Sequence, residues 1–396
     1  MFKKLIRQYY LLSFLFSAGG MQIISATYVT FLIHNGLNLF EVNFVNAIYF
    51  FTLFICEIPT GAFADIFGRK KSFVLACAVT SMSMFVYGFS HSFWGFALAE
   101  VLGAVGITFR NGAFQAWFVD SLKHHGYEGS YTPIFGRESL FNRIGGGGGA
   151  ILGAYLAAVN PAYPWLLGGS MMVLVTIIAL KVMNEEYFVR HSFSWKNGLD
   201  KMLEVAKTSI HYGATNKPVR FILIVTFIEI YAVQAINMYW QPFFKQGGVS
   251  TEHLGFLFSA MMLMIALGAF IVSRMKTEGR ERQMILLSMM FVGMMIWMAS
   301  LSPWLSGAII AFLLHEGGRG FWNPMSDSYL QQRIPSHERA TISSFCSTAP
   351  HIGGAIGLLI SGGIAQLFGI TASWMVGGAV LVVGAFLVRK NGYDST

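Results

Sequence analysis

The sequence predicts an all-α integral membrane protein, and three observations support that class. Of 396 residues, 55% are hydrophobic and only 12% are charged, about half the charged fraction of soluble domains. Apolar runs of about 20 residues recur along the whole chain, as they do in membrane helices. The 43 glycines suit the close helix contacts that membrane proteins use. A soluble domain could not cover its surface with so few charges.

Twelve transmembrane helices are predicted, in two pseudo-repeated six-helix bundles. The predicted domains are an N-terminal bundle at 1–184, a cytoplasmic amphipathic linker at 185–217, and a C-terminal bundle at 218–396. The linker prediction rests on the amphipathic pattern of 195–207, which would lie along the membrane surface. The predicted spans are 8–34, 42–64, 73–90, 95–120, 137–158, 164–183, 219–242, 253–273, 284–301, 304–330, 339–367 and 371–388.

The placement of Lys and Arg predicts the orientation. With the N-terminus inside, the inner segments hold nearly all basic residues outside the spans, and the outer loops hold only Lys245. Short cytoplasmic loops are enriched in Lys and Arg, so both termini are expected in the cytoplasm, with the protein in a bacterial inner membrane. The net charge of +8 follows from these loops, and no nucleic-acid partner is expected.

The two halves of the chain share short sequence matches. Gly61-Ala-Phe recurs at Gly268, and Asp120-Ser recurs at Asp327, both at an offset of 207 residues. A third match relates Gly149-Ala-Ile to Gly354 at an offset of 205. Each match is short, but three in order at nearly one offset indicate a duplicated six-helix unit.

A charged turn separates the second and third predicted spans. It contains Gly61, Asp65, Gly68, Arg69 and Lys70. Asp65 and Arg69 are four residues apart, so they are expected to pair on one helical face. The spacing of these five residues resembles the loop between helices 2 and 3 of the major facilitator superfamily. The resemblance implies that this loop is a conformational-switch motif.

Two parts of the chain depart from that family pattern. Ile66 stands where a basic residue is usual, which removes one contact of the loop. In the second half, the loop 274–282 keeps Gly279-Arg280 but has Val272 where Asp65 would stand. The second copy of the motif is therefore degenerate, as is common in the family.

Enzyme motifs are absent from the sequence. There is no nucleophile elbow, phosphate-binding Walker loop or dinucleotide fingerprint. His315-Glu316-Gly-Gly-Arg319 is a near match to a zinc motif, but Arg319 replaces the second His. Cys56, Cys77 and Cys346 lie in apolar runs and are interpreted as packing residues. We expect no enzymatic activity, metal or cofactor, and a proton gradient as the energy source.

Charges inside the predicted spans are candidates for function, because a charge in a bilayer is costly. They fall on spans 2, 4, 5, 7 and 10. In the family fold that the chain resembles, helices 3, 6, 9 and 12 lie outermost and the others line the central path. The candidate transport-cavity residues are Gln22, Arg110, Gln115, Arg143, Gln234, Asn237, Glu316, Arg319 and His351, and the candidate proton-coupling residues are Glu57 and Glu229.

Alternatives remain open for several of these residues. Glu316 and Arg319 are three apart and could simply pair with each other. Arg110 could bind an anionic substrate or pair with a carboxylate on another helix. Glu57 could be structural, whereas Glu229 is an isolated carboxyl in an apolar run that could load and release protons. His351 is more typical of a hydrogen-bonded interior histidine than of a proton relay.

The fifth predicted span is rich in glycine. Residues 143–153 resemble the antiporter motif of the family's drug exporters, although the Pro of that motif is missing. The alternative is that the glycines only permit close helix packing.

The sequence therefore predicts a monomeric secondary active transporter for a small molecule in a lipid bilayer. The preferred function is proton-coupled efflux of amphipathic molecules or organic-anion metabolites. The alternatives are uptake or facilitated diffusion of a metabolite, and a receptor or scaffold that does not transport.

Overall fold

The computed structural model describes residues 2–188, 215–334, 346 and 350–390, and its regular elements there are helices. The predicted amphipathic segment 195–207 and most of the first part of the eleventh predicted span lie outside the described residues. In the first half the elements are α1 (Phe2–Gly19), a 3-10 turn (Met21–Ile23), α2 (Tyr28–His34), α3 (Leu39–Phe67), α4 (Arg69–Phe89), α5 (Phe93–Arg110), α6 (Ala113–His124), α7 (Thr132–Val159) and α8 (Tyr163–Val182).

The second half has the same all-helical character. Its described elements are α9 (Lys217–Gln246), α10 (Thr251–Arg274), α11 (Glu281–Leu301), α12 (Leu305–Gly320), α13 (Trp322–Gln331), α14 (Pro350–Phe368) and α15 (Ile370–Lys390).

Ten segments in the described ranges are long and apolar enough to cross a membrane. Two predicted spans are not among them. One is α7, whose glycines and polar residues dilute its apolar character. The other is divided between α12 and α13, each of which is short. Both occupy the positions of predicted spans, and the full number of twelve stays a prediction.

Within the described residues, three of the predicted spans contain a break between helices. The first span breaks between Gly20 and Thr27. The fourth breaks at Gly112, whose φ of +72° belongs to the left-handed region that glycine tolerates. The tenth breaks at Phe321, where Pro324 in the next turn has no N–H to donate to the Gly320 carbonyl. Apolar composition continues across each break, so hydropathy alone does not reveal it.

The chain forms two compact units. The described parts of Met1–Gly36, Phe51–Gly198 and Val249–Ser259 make unit 1, and the remainder makes unit 2. Consequently the first part of α3 belongs to unit 2, and the first part of α10 belongs to unit 1. The predicted linker boundaries at 185 and 217 stay a prediction, because most of that segment lies outside the described residues.

In unit 1, the glycine face of α7 packs against the first span. A Cβ added at Gly149 would lie 2.5 Å from the Ala18 carbonyl oxygen, and one added at Gly153 would lie 1.7 Å from that of Ile23. Both distances are far below van der Waals contact. The glycines therefore let two backbones approach more closely than any side chain would permit.

In unit 2, buried polar side chains bond to backbone carbonyls of neighbouring helices. Asn43 Nδ2 donates to the Leu358 carbonyl oxygen at 2.8 Å and to Ser361 Oγ at 2.9 Å. The fully buried Trp374 stacks on Phe243 and donates its Nε1–H to the Ala235 carbonyl at 3.1 Å. These bonds fix helix register where lipid offers no competing hydrogen bonds.

Large apolar side chains cover much of the outer surface. Trp94 and Phe368 are more than 70% exposed, and many Leu, Ile and Phe side chains on the long helices are exposed as well. An exposed apolar surface of this extent is expected where a protein contacts lipid.

Candidate functional site

Arg319 is the centre of the largest charged cluster described in unit 2. Its Nε lies 3.5 Å from Glu229 Oε1, and its Nη1 lies 3.3 Å from Glu316 Oε2. The same Nη1 donates to Asn237 Oδ1 at 2.9 Å. Glu229 and Asn237 share α9 and are eight residues apart, about two turns, so both face the guanidinium in the last turn of α12.

The cluster is buried, and its charges do not balance. The side chain of Glu316 is 1% exposed, that of Glu229 is 11% exposed, and that of Arg319 is 25% exposed. Two carboxylates share one guanidinium, so the cluster carries an excess negative charge when both are ionised. A proton or a second cation would remove that excess.

A cavity of about 410 Å³ opens beside this cluster. Glu229, Arg319 and Asp327 supply its charged groups, and Asp327 adds a further carboxylate. Its apolar wall is formed by Ile222, Ile230, Ile265, Trp322, Leu330 and Cys346. Thr226, Asn323, Ser326 and Gln331 also line it, so the cavity combines apolar and polar groups, as small-molecule sites do.

His315 lies against the cluster in the preceding turn of α12. The side chain is fully buried, and its Nδ1 lies 3.7 Å from Glu316 Oε1. Neither ring nitrogen has a hydrogen-bond partner among the described residues. In the sequence, His315 belongs only to an incomplete zinc motif, and it was not among the predicted site residues.

Two candidate residues of unit 2 lie outside the Arg319 cluster. Gln234 is buried, and it does not line the cavity. His351 packs edge-to-face on Phe50 with ring centres 5.8 Å apart. Its buried Nδ1 has no hydrogen-bond partner among the residues that the structure describes. Of the candidates in unit 2, Glu229, Asn237, Glu316 and Arg319 are brought together.

In unit 1, the guanidinium of Arg110 lies over two aromatic rings. Its guanidinium carbon lies 4.6 Å from the ring centre of Phe16 and 5.8 Å from that of Phe114. The carboxylate of Glu138 attracts it from α7, and its buried Nε has no hydrogen-bond partner in the described ranges. Cation–π contacts supply part of the stabilisation that an ion pair would otherwise provide. No spacing in the sequence indicates this arrangement.

The other polar candidates of unit 1 are dispersed. Gln22 Oε1 accepts a hydrogen bond from Ser25 at 3.3 Å, whereas Gln115 and Arg143 are exposed. Glu57 accepts from Asn111 Nδ2 at 3.3 Å on both carboxylate oxygens. Neither candidate proton-coupling residue is isolated, because Glu57 bonds to Asn111 and Glu229 pairs with Arg319.

The buried carboxyl of Glu100 has a different environment. Tyr28 and Tyr87 both donate their hydroxyls to its Oε1. Tyr87 stacks on Trp165 with ring centres 4.0 Å apart. The two tyrosines thus satisfy a charge-bearing group without a cation. Glu100 lies in the fourth predicted span, and no sequence spacing pointed to its tyrosine partners.

The charged turn at Gly68 corrects one expectation about the loop. Gly68 has a φ of +100° and separates α3 from α4, so Arg69 does not lie on the helical face of Asp65. Arg69 instead forms an ion pair with Asp120. The carboxylate of Glu185 accepts hydrogen bonds from the backbone N–H groups of Arg69 at 2.7 Å and Lys70 at 3.1 Å, capping α4.

The family comparison covers most of the chain. The family model described as Major Facilitator Superfamily matches residues 10–349, with a second match over 222–393. The chain belongs to the major facilitator superfamily. It is an integral, multi-pass membrane protein of a transporter family, which confirms the predicted fold class and the expectation that it is not an enzyme.

Named relatives agree with the family. The uncharacterized MFS-type transporter YxaM of Bacillus subtilis (strain 168) is 25% identical over 385 residues, which cover 93% of this chain and 91% of the relative. Multidrug resistance protein 2 of the same organism is 21% identical over 335 residues, covering 82% and 79%. A solved mutant of the nucleoside transporter NupG matches with a TM-score of 0.81 and 12% identity, covering 98% and 99%. The last match shows a shared fold.

The superfamily loop has a charge-reversed counterpart in the second half of the chain. There Glu281 is fully buried, and its Oε2 lies 3.6 Å from Arg333 Nη2. In the first half the loop supplies the cation, Arg69, whereas in the second half it supplies the anion. Each loop is thus held by an ion pair, but the charge that the loop contributes is reversed between the halves. A search for repeated motif residues does not detect this relation.

Proposed function

We propose that this superfamily member is a secondary active transporter that exports amphipathic small molecules in exchange for protons. Alternating access between the two six-helix halves would carry the substrate across the membrane. The relative named Multidrug resistance protein 2 supports export of this kind. Uptake of a metabolite is the competing direction.

The charge imbalance around Arg319 carries the proposal. Glu229 and Glu316 both face this one guanidinium, and Asp327 lines the adjoining cavity together with Glu229 and Arg319. A site with more carboxylates than cations favours a cationic or neutral ligand over an anion. Among the substrates expected from the sequence, amphipathic cations therefore fit better than organic anions.

The same imbalance provides a means of coupling. A proton on Glu229 and a cationic substrate in the cavity would each remove the excess negative charge, so the two would compete. Each half-cycle would then carry either protons or substrate. Arg319 stays charged throughout, since a guanidinium does not readily lose its proton.

The apolar wall accounts for the amphipathic part of the ligand. Branched side chains of α9 and α10, together with Trp322, surround the carboxylates. An apolar ligand body would be buried against them, and an aromatic face also favours a cation.

Transport in proteoliposomes tests the proposal. The probe is tetraphenylphosphonium, an amphipathic cation, with neutral triphenylphosphine oxide as its matched analogue. With an imposed proton gradient, the wild-type protein should move the cation against its own gradient. Glu229→Gln should abolish this gradient-driven movement and retain cation binding.

Two further variants complete the experiment. Glu57→Gln tests the second candidate proton site, and Glu128→Gln is the control, because Glu128 is exposed in a loop of unit 1. The control should transport like the wild type. The proposal would be overturned if the proton gradient had no effect on cation transport by the wild type. Full gradient-driven transport by both Glu229→Gln and Glu57→Gln would also overturn it. Cation movement in the same direction as protons would establish uptake instead.

A further inference from the structure

A second cavity, away from the Arg319 cluster, occupies one end of unit 1. Its volume is about 300 Å³, and it lies where α1 begins and α6 and α8 end. The start of α1 contributes Lys4, and the end of α8 contributes Lys181. His124 and His125 enter from the end of α6. The predicted topology places this end on the cytoplasmic side.

The wall of this cavity is suited to an anion. Neither Lys4 nor Lys181 forms an ion pair within the described residues, and Glu186 is the carboxylate in the wall. Two ammonium groups outweigh one carboxylate, and the imidazoles can donate further hydrogen bonds. Basic pockets between transmembrane helices on the cytoplasmic side suit lipid phosphate groups.

Side-chain hydrogen bonds hold the wall of the cavity in place. Tyr187 donates its hydroxyl to the Trp117 carbonyl at 3.1 Å, and Trp117 Nε1 donates to the Asn184 carbonyl at 2.9 Å. The ring of His124 lies 5.7 Å from that of Tyr187. The segment after α8 is thereby fixed to α6, which shapes the cavity before any ligand binds.

That segment connects the cavity to the charged turn. Asn184, Glu186 and Tyr187 line the cavity, whereas Glu185 between them caps α4 at Arg69 and Lys70. On the α6 side, Ser121 lines the cavity, and the adjacent Asp120 pairs with Arg69. Both contacts that hold the turn therefore come from residues next to the cavity wall.

We propose that this cavity binds a phosphate monoester dianion and that its occupancy stabilises the Glu185 cap and the Arg69–Asp120 pair. The phosphate could belong to an anionic lipid headgroup or to a soluble compound. This regulatory site does not depend on the transport proposal, since it can be tested by binding alone.

The binding test uses the purified full chain. Inorganic phosphate is titrated at constant ionic strength, and the unfolding temperature reports binding. In the lipid arm, the protein is placed in nanodiscs of phosphatidylcholine with or without phosphatidic acid. Lys4→Gln with Lys181→Gln should weaken phosphate binding about tenfold or more, since charge-assisted hydrogen bonds are lost.

The matched control is Lys3→Gln with Lys123→Gln. These exposed lysines neighbour the cavity in sequence but do not line it, and their loss changes the net charge equally. The control should bind phosphate within about twofold of wild type, because these lysines do not line the cavity and their charges are screened by solvent and salt. Glu186→Gln should bind more tightly, because it removes the repelling carboxylate.

Hydrogen exchange at the amides of Arg69 and Lys70 reads the coupling directly. Exchange should slow when phosphate or phosphatidic acid is present. Slower exchange with inorganic phosphate indicates a soluble ligand, and slower exchange with phosphatidic acid alone indicates a lipid headgroup. Equal weakening in both double variants, or no stabilisation in either arm, would overturn the site. Binding without slower exchange at these two amides would overturn the coupling.

Discussion

Arg319 stabilises two carboxylates that come from different positions in the chain. Glu316 is its neighbour on α12, whereas Glu229 lies on α9. A single guanidinium has donors enough for both, together with Asn237. The consequence is that each carboxylate depends on the same cation for its charge compensation.

Arg319→Gln should therefore destabilise the protein strongly. Removing one partner of a buried ion pair leaves an uncompensated charge and costs about 3–5 kcal/mol. The expected result is a lower unfolding temperature and a poor yield of monodisperse protein in detergent at neutral pH. Adding Glu229→Gln to this variant should restore much of the loss, because only one ionisable carboxyl is then left without its cation.

The double variant also distinguishes this interpretation from a simple packing defect. If Arg319→Gln is as stable as wild type, the cluster does not hold buried charge. If the double variant is no better than the single one, the loss comes from packing around the side chain. Arg319→Lys is a further comparison, since an ammonium cannot reproduce the forked geometry.

At the scale of elements, the contact between α7 and the first span depends on glycines, which have no side chain. The glycines of α7 do not share one environment. Gly153 faces the Ile23 carbonyl at a distance that no Cβ could occupy, whereas Gly148 has open space around its Cα. Within α7, Gly153 is therefore the position to test and Gly148 is its control.

Gly153→Ala should destabilise unit 1 by about 1–3 kcal/mol, the usual cost of overpacking. Gly148→Ala should be neutral or slightly stabilising, because alanine has the higher helix propensity. Thermal unfolding in one detergent measures both. Equal stability of the two variants would show that the close approach of α7 to the first span is not a structural requirement.

The charged turn is a second element-scale feature. Asp65 is exposed and has no hydrogen bond or ion pair among the described residues, whereas Arg69 is held by Asp120. The family resemblance implies that this turn is a conformational-switch motif, and Asp65 is the acidic residue of that motif.

Asp65→Asn should therefore shift the balance between inward-facing and outward-facing states and slow transport, with little effect on folding. Accessibility labelling of single cysteines on each side of the cavity measures the shift, with Glu128→Gln as an exposed acid that should have no effect. Wild-type turnover together with wild-type labelling in Asp65→Asn would contradict the role assigned to this residue.

At the scale of the whole molecule, hydropathy and motif spacing predicted most of the architecture. The spans, the family and the charged turn followed from composition, Lys and Arg placement, and five residues of the turn. The helix breaks did not, because Gly20, Gly112 and Phe321 lie within runs that stay apolar. Hydropathy measures how apolar a segment is, and it does not respond to a single turn of irregular backbone.

Side-chain partners were predicted less completely, for a related reason. Glu316 and Arg319 could be paired because their spacing is local. Glu229, Asp120 and Glu100 find their partners on other helices, and that depends on helix rotation and register. Neither the rotation nor the register of a helix can be derived from one sequence without knowing how the helices pack. The aromatic contacts of Arg110 were missed because Phe residues are too frequent in membrane helices to single out two of them.

Proton release on substrate binding tests the central claim most directly. Tetraphenylphosphonium is added to the detergent-solubilised protein in weakly buffered solution near neutral pH, and released protons are measured with a pH indicator. Wild type should release about one proton for each cation bound, because both compete for the excess charge around Arg319. Glu229→Gln should bind the cation without release. Cation binding to wild type with no proton release, or undiminished release from Glu229→Gln, would contradict the account.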